Sequence, residues 1–196
     1  MTNIDEILSK EAERIYNAKA EDNRIFIHTP DARSLLARGI KYFVGDNAMW
    51  LPAYDKVAEW LTDNKGRGLL CAGTCGQGKT IICQHVLPII FQHVHRLYMN
   101  TITAIGLNAR YEEYRQYKII SIDDVGTESI CNDYGEKHDY IQEIVDDAER
   151  RQKLLVLSTN LNADELLERY GERTVSRLHA ITTPVIFSGD DLRKKT

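Results

Sequence analysis

Ten residues constrain the fold of this chain more than any others: "CAGTCGQGKT", residues 71–80, which directly follow the apolar run "GLL". Gly73, Gly78, Lys79 and Thr80 satisfy the spacing G-x-x-x-x-G-K-[ST], with an apolar, strand-like stretch before them and a helical one after. Glycines let successive backbone N–H groups turn inward toward phosphate oxygens, and the N-terminus of the following helix adds positive potential. Gly73, Thr74, Cys75, Gly76, Gln77, Gly78, Lys79 and Thr80 are therefore the expected phosphate cradle. In it Lys79 reaches the outer phosphates and the Thr80 hydroxyl offers a ligand for Mg²⁺.

Beyond this loop the pattern alternates. Apolar runs suited to buried parallel strands occur at Leu69–Ala72, Leu97–Met99, Ile119–Ile122, Leu154–Leu157 and Val185–Phe187. Helical stretches separate them: Lys79 to about Leu87, ended near Pro88, then residues near 102–115, about 136–152, 163–170 (stopped by Gly171) and 172–180. This order predicts an α/β fold, a five-stranded parallel sheet sandwiched by helices. The first third reads as helical. Residues 3–19 carry Ile4, Ile7, Leu8, Ile15 and Tyr16 at helical spacing, with Asn3 and Glu6 placed for a capping box. A second helix starts at Thr29 and Pro30, a third at Pro52 and ends by Gly66, and "RIFIH" is a short extended segment. The division expected is a helical N-terminal extension over 1–47 and a P-loop core over 48–196.

Two further strand ends carry chemistry. "YKIISIDDVG" closes a buried strand on Asp123 and Asp124, where strand C-termini open onto a ligand crevice. Asp123 is placed to hold Mg²⁺ and Asp124 to orient and polarise an attacking water. "LLVLSTNL" ends in Ser158, Thr159 and Asn160; if this strand lies between the other two, Asn160 points at the terminal phosphate with an uncharged amide that both accepts and donates. In "YGERTVSRLHA", Arg173 and Arg177 stand four apart on one face of a short helix, planar permanent cations suited to a transition-state clamp.

Other groupings have plainer readings. Cys71 and Cys75 lie on the strand and inside the loop, which is wrong for zinc, and Cys83 reads as a small core residue. His93 and His95 lack a third ligand at useful spacing, so no metal beyond Mg²⁺ is expected. Glu143, Asp146, Asp147 and Glu149 read as the wet face of a helix, and Arg193, Lys194 and Lys195 as a solvated tail. A net charge of −4 disfavours coating nucleic acid by bulk electrostatics. There is no apolar run of membrane-span length, and the start "MTNIDEILSK" lacks a signal-peptide pattern, so a cytoplasmic protein that does not engage membranes is expected.

Together "GRGLLCAGTCGQGKT", "IISIDDVGTE", "LLVLSTNL" and "YGERTVSRL", with "FSGDDLRK" as a looser match, resemble the AAA+ ATPases of the DnaC/IstB-like helicase-loader family. The resemblance spans about residues 66–193. It implies ATP and Mg²⁺ as cofactors, Walker A at 73–80, Walker B at Asp123 and Asp124, sensor 1 at Asn160 and an arginine finger at Arg177 that serves a neighbouring subunit, with Arg173 as a second such contact. Glu128 matches a recurrent acidic position without a firm role. The resemblance also implies head-to-tail homo-oligomers when ATP is bound, a replicative helicase or a transposase as partner, and single- or double-stranded DNA. Too few residues follow Arg177 for the helical lid of most AAA+ proteins, so a lid-borne sensor arginine is expected to be missing. Two readings from other classes compete: a small nucleotide kinase, and an adaptor gated by nucleotide that scarcely hydrolyses it.

Overall fold

The computed structural model describes residues 22–133, 136–189 and 191–192. The helix expected over 3–19 and the basic tail at 193–195 lie outside the described residues. In chain order the elements are α1 (Ala32–Val44), α2 (Pro52–Thr62), β1 (Gly68–Gly73), a helix α3 over 79–95, β2 (Asn100–Thr103), α4 (Ala104–Tyr114), β3 (Ile119–Val125), β4 (Cys131–Asp133), β5 (Glu136–His138), α5 (Tyr140–Arg151), β6 (Leu154–Thr159), α6 (Ala163–Ile181) and β7 (Thr182–Phe187). The main sheet is ordered β2-β3-β6-β1-β7 and every pair in it is parallel. β4 and β5 form a separate antiparallel hairpin.

Strand side chains alternate between two apolar layers, as the period of two demands. Leu69, Cys71, Leu154 and Val156 enter the layer under α1, α2 and α3, whereas Leu70, Ile120, Ile122, Leu155 and Leu157 enter the layer under α4, α5 and α6. With both faces covered, the central strands read as continuous apolar runs, which is why they were visible in the sequence. Residues 27–40 contribute to the first layer: Ile27, Ala32, Leu36 and Ile40 are buried in the same cluster as the β1 and β6 side chains.

Several boundaries differ from the sequence reading. The second strand is Asn100–Thr103, one step beyond the apolar Leu97–Met99, because the ladder starts only where Asn100 meets Ile120. β2 is an edge strand, and its polar residues hid it. α3 does not stop at Pro88 but continues to His95, ending where Arg96 takes a left-handed conformation. Residues Ile81–Val86 and Phe91–His95 wind as π-helix, and the Leu87 N–H donates to Ile82 O; this wider register leaves room for the proline ring. The helix expected from Thr29 begins instead at Ala32, because Thr29 is consumed elsewhere: its hydroxyl is 2.8 Å from His95 Nε2 and its N–H donates to Thr62 O. "RIFIH" joins no sheet. Asn64 serves it as a surrogate strand, accepting from Ile27 N–H at 2.8 Å and donating to Ile25 O at 2.9 Å. The 136–152 helix is shortened to Tyr140–Arg151, preceded by the unforeseen hairpin, and Asp139 caps it by accepting from the Ile141 and Gln142 N–H groups. α6 bends at Gly171 (φ 77°), where the sequence reading separated two helices.

Leu36, on α1, is fully buried in the first apolar layer. Truncating Leu36→Ala removes a core side chain and leaves a cavity, which is expected to cost about 2–5 kcal/mol in urea unfolding, whereas exposed Arg38→Ala stays within about 0.5 kcal/mol. Equal small effects for both would show that α1 is not part of the folded unit.

Candidate active site

The C-terminal ends of β1, β6 and β3 lie side by side, and the 73–80 loop, Asp123, Asp124 and Asn160 gather there. β6 separates the other two, which is the arrangement the reading of Asn160 required. The loop leaving β1 turns at Gly73 (φ 131°), where a Cβ would stand 1.9 Å from Phe187 O on β7. It enters α3 at Gly78 (φ 80°), where a Cβ would stand 2.6 Å from the Tyr54 hydroxyl. No side chain fits at either place. Tyr54 is a positioning residue that the sequence reading missed: its hydroxyl donates to Gln77 O at 2.9 Å, and its ring packs on Trp50 and Phe187. It thereby fixes the direction of one loop carbonyl from α2, the element that precedes β1.

Lys79 is buried and donates three hydrogen bonds from Nζ: to Gly73 O and Thr74 O at 2.8 Å each and to Asn160 Oδ1 at 2.9 Å. Burial pulls the ammonium below the usual lysine value against the attraction of Cys75, Cys71, Asp124 and Asp123. The Asn160 amide, in turn, donates from Nδ2 to Asp124 Oδ1 at 3.4 Å, so one neutral side chain bridges a cation and an anion. Thr80 Oγ1 donates to Asp123 Oδ1 at 3.2 Å, and Ser158 Oγ donates to the same oxygen. Asp124 has a left-handed backbone (φ 55°), a conformation that aspartate tolerates better than most residues. Burial and the neighbouring Asp123 raise its carboxyl above the ordinary value, against opposing pulls from Lys79 and Asn160.

These groups line one cavity of about 430 Å³, formed by residues 75–81 with Asp124 and Asn160. A second cavity of about 290 Å³ adjoins the loop at Gly76 and Gly78 and is walled mainly by apolar side chains, among them Ile40, Val44, Met49, Ile81 and Leu192. Leu192 is tied to the loop by its N–H, which donates to Gly76 O at 3.3 Å. Asp123 and Thr80 together present a carboxylate and a hydroxyl oxygen, hard donors suited to Mg²⁺, which keeps most of its remaining shell as water and phosphate.

Arg177 and Arg173 are not part of this cavity. Arg177 pairs with Asp146, and its Nε lies 2.8 Å from Glu149 Oε2; Arg173 is 3.7 Å from Asp146. Asp146 is the largest influence raising the Arg177 guanidinium above its ordinary value. The acids on α5 are therefore not simply a solvated face. Asp146 and Glu149 hold arginines, and Asp147 is buried, 2.6 Å from the buried ammonium of Lys153. Glu128 also acquires a definite place: buried, it accepts from Gly126 N–H at 2.8 Å and the Tyr170 hydroxyl at 2.6 Å, and pairs with Arg169 at 3.1 Å. It anchors the turn after β3 to α6.

No protein-family model matches the chain, and no curated protein matches it in sequence. Solved structures do resemble it. The DnaC helicase loader superposes with a TM-score of 0.57 at 16% identity, covering 76% of this chain and 99% of that one. DnaI gives 0.54 at 17% identity over 92% and 93%. AMPPCP-bound DnaA from Aquifex aeolicus gives 0.53 at 20% identity over 76% of this chain, which spans about half (51%) of that protein. At these identities the likeness establishes the fold alone, a five-stranded parallel sheet flanked by helices.

Glu128→Ala would strand Arg169, the Tyr170 hydroxyl and the Gly126 N–H together, and a loss of about 3 kcal/mol in urea unfolding is expected. Glu128→Gln, which preserves shape and an acceptor, should cost less. An alanine variant as stable as the parent would contradict the anchoring role.

Proposed function

We propose that the chain binds and hydrolyses ATP as an AAA+ protein of DNA replication or of mobile elements, and that it is a DnaC-like helicase loader acting on a DNA-bound partner. The observation that carries this reading is the placement of β6 between β1 and β3, which joins Lys79, Asn160 and Asp124 around a single cavity of about 430 Å³. Its likeness in fold to a helicase loader and to nucleotide-bound DnaA supports the same reading, as do the motifs "IISIDDVGTE" and "YGERTVSRL". A helper ATPase of the IstB-like transposition type shares all of these features. A nucleotide kinase fits less well: no arginine lines the phosphate cavity among the described residues to hold an acceptor phosphate.

In this reading the triphosphate lies along residues 73–80 and the base enters the apolar cavity beside Ile81 and Leu192. Lys79 exchanges Asn160 and the loop carbonyls for phosphate oxygens, so its burial charge is met in both states. Thr80 and Asp123 hold Mg²⁺, which neutralises phosphate charge when bound. Asp124 accepts the proton of the attacking water, and Asn160 orients that water or the terminal phosphate. Arg177 faces away from its own phosphate cavity and serves a neighbouring subunit's nucleotide, making the assembly head-to-tail. Its pairing with the half-exposed acids of α5 is weak enough to be exchanged on assembly.

Four outcomes test this. Lys79→Ala should weaken fluorescent ATP binding about tenfold or more. Asp124→Asn should bind ATP normally and hydrolyse it about a hundredfold more slowly; turnover near the parent's would remove Asp124 from the chemistry. Because the Asp124 carboxyl is raised, it protonates earlier as pH falls, so kcat should decline on the acid side above the ordinary carboxylate value of 3.8. Mixing Arg177→Ala with Lys79→Ala protein should restore part of the ATPase activity, because a Lys79→Ala subunit lends an intact arginine to its neighbour. A mixture no more active than the sum of its parts, where light scattering shows co-assembly, rules the trans arginine out.

A further inference from the structure

We infer that Ser158 is the positioning residue of the acidic pair, setting both the aim of Asp123 and the backbone of Asp124. The inference rests on the magnesium-nucleotide reading of the site, and it arises from a flaw in the sheet. β3 and β6 run in register through Ile122 opposite Leu157, and the next matched pair is Val125 opposite Thr159. Between those rungs two residues of β3, Asp123 and Asp124, stand against one residue of β6, Ser158. This is a β-bulge, and it turns Asp124 into its left-handed conformation.

A bulge leaves a strand N–H without its ladder partner. Here the Asp124 N–H donates to Ser158 Oγ at 3.1 Å, while the same hydroxyl donates its own proton to Asp123 Oδ1. A hydroxyl is the smallest group that accepts and donates at once, and Ser158 is fully buried, so water does not replace it. Thr80 also donates to Asp123 Oδ1 at 3.2 Å. A threonine hydroxyl ligates a metal ion through a lone pair and keeps its proton, so Thr80 and Ser158 both aim the carboxylate, Ser158 from the buried side. Removing the Ser158 hydroxyl therefore takes one of two donors from Asp123 Oδ1 and leaves the bulge without its internal acceptor. Phosphate contacts from residues 73–79 are untouched, because none of them passes through Ser158.

The expected signature is a split between metal-linked and metal-free binding. Calorimetric titration of the Ser158→Ala chain with ATPγS in EDTA should match the parent within about threefold, which also reports a folded site. The extra affinity that the parent gains on adding Mg²⁺ should shrink by about tenfold or more, and kcat should fall by at least as much at saturating nucleotide. Ser121→Ala is the control: that buried hydroxyl, also on the sheet, donates to Cys83 O at 2.9 Å, and its loss should leave the Mg²⁺-linked gain intact. If Ser158→Ala does not fold, Ser158→Cys, close in volume and only a weak donor, carries the same test. A parent that gains affinity with Mg²⁺ and a Ser158 variant that gains it equally would overturn the positioning role while the site reading stands. A parent whose nucleotide affinity ignores Mg²⁺ would overturn both.

Discussion

A lysine ammonium with most of its surface removed from water must find compensating dipoles, and this requirement at Lys79 organises the whole upper edge of the sheet. Two of its partners are carbonyls of its own loop, which requires the loop to fold back on itself through glycine conformations. The third is Asn160, which only a strand adjacent to β1 delivers. That amide then reaches Asp124 at the end of β3, so the strand order and the charge balance are two descriptions of one constraint. Tyr54 from α2, before β1, and Leu192, after β7, clamp the loop from both directions along the chain. Residues 27–62 therefore contribute to the core and, through Tyr54 on α2, to the geometry of the loop.

The candidate site is legible in the sequence because its parts are local. The loop, the acid pair and the polar triplet each sit at the end of an apolar run, and apolar runs survive in strands covered on both faces. What was hidden depends on register. Nothing in "STN" distinguishes Ser158 from an ordinary turn residue until β6 is laid beside a bulged β3. Tyr54 resembles any other aromatic on an amphipathic helix until Gly78 removes the side chain that would have excluded it. Asp147 shared the pattern of a wet helix face, yet Lys153 arrives just beyond the helix end and draws it inward. β2 and the passage of α3 through Pro88 are hidden in the sequence because an edge strand tolerates polar residues and a π-helical stretch tolerates proline.

The charges fall into two groups by burial. Lys79, Asp123 and Glu128 are buried, and each is met by several directed hydrogen bonds, so breaking one leaves a group that water does not reach. Arg173, Arg177, Asp146 and Glu149 are partly exposed, and their pairs are screened and exchangeable. This contrast suits the proposed division between a nucleotide site built rigidly inside one chain and arginines, away from that cavity, that exchange partners between subunits. It also places the residues proposed to act between subunits where partners can be traded at small cost.

The most direct test is a structure of the chain determined with a non-hydrolysable ATP analogue and Mg²⁺. The triphosphate should run along residues 73–80, with the Lys79 ammonium on its terminal oxygens, the metal beside Thr80 and Asp123, and Asn160 released from Lys79. Nucleotide bound elsewhere, or a Lys79 still held by Asn160 and the loop carbonyls at saturating nucleotide, would contradict it.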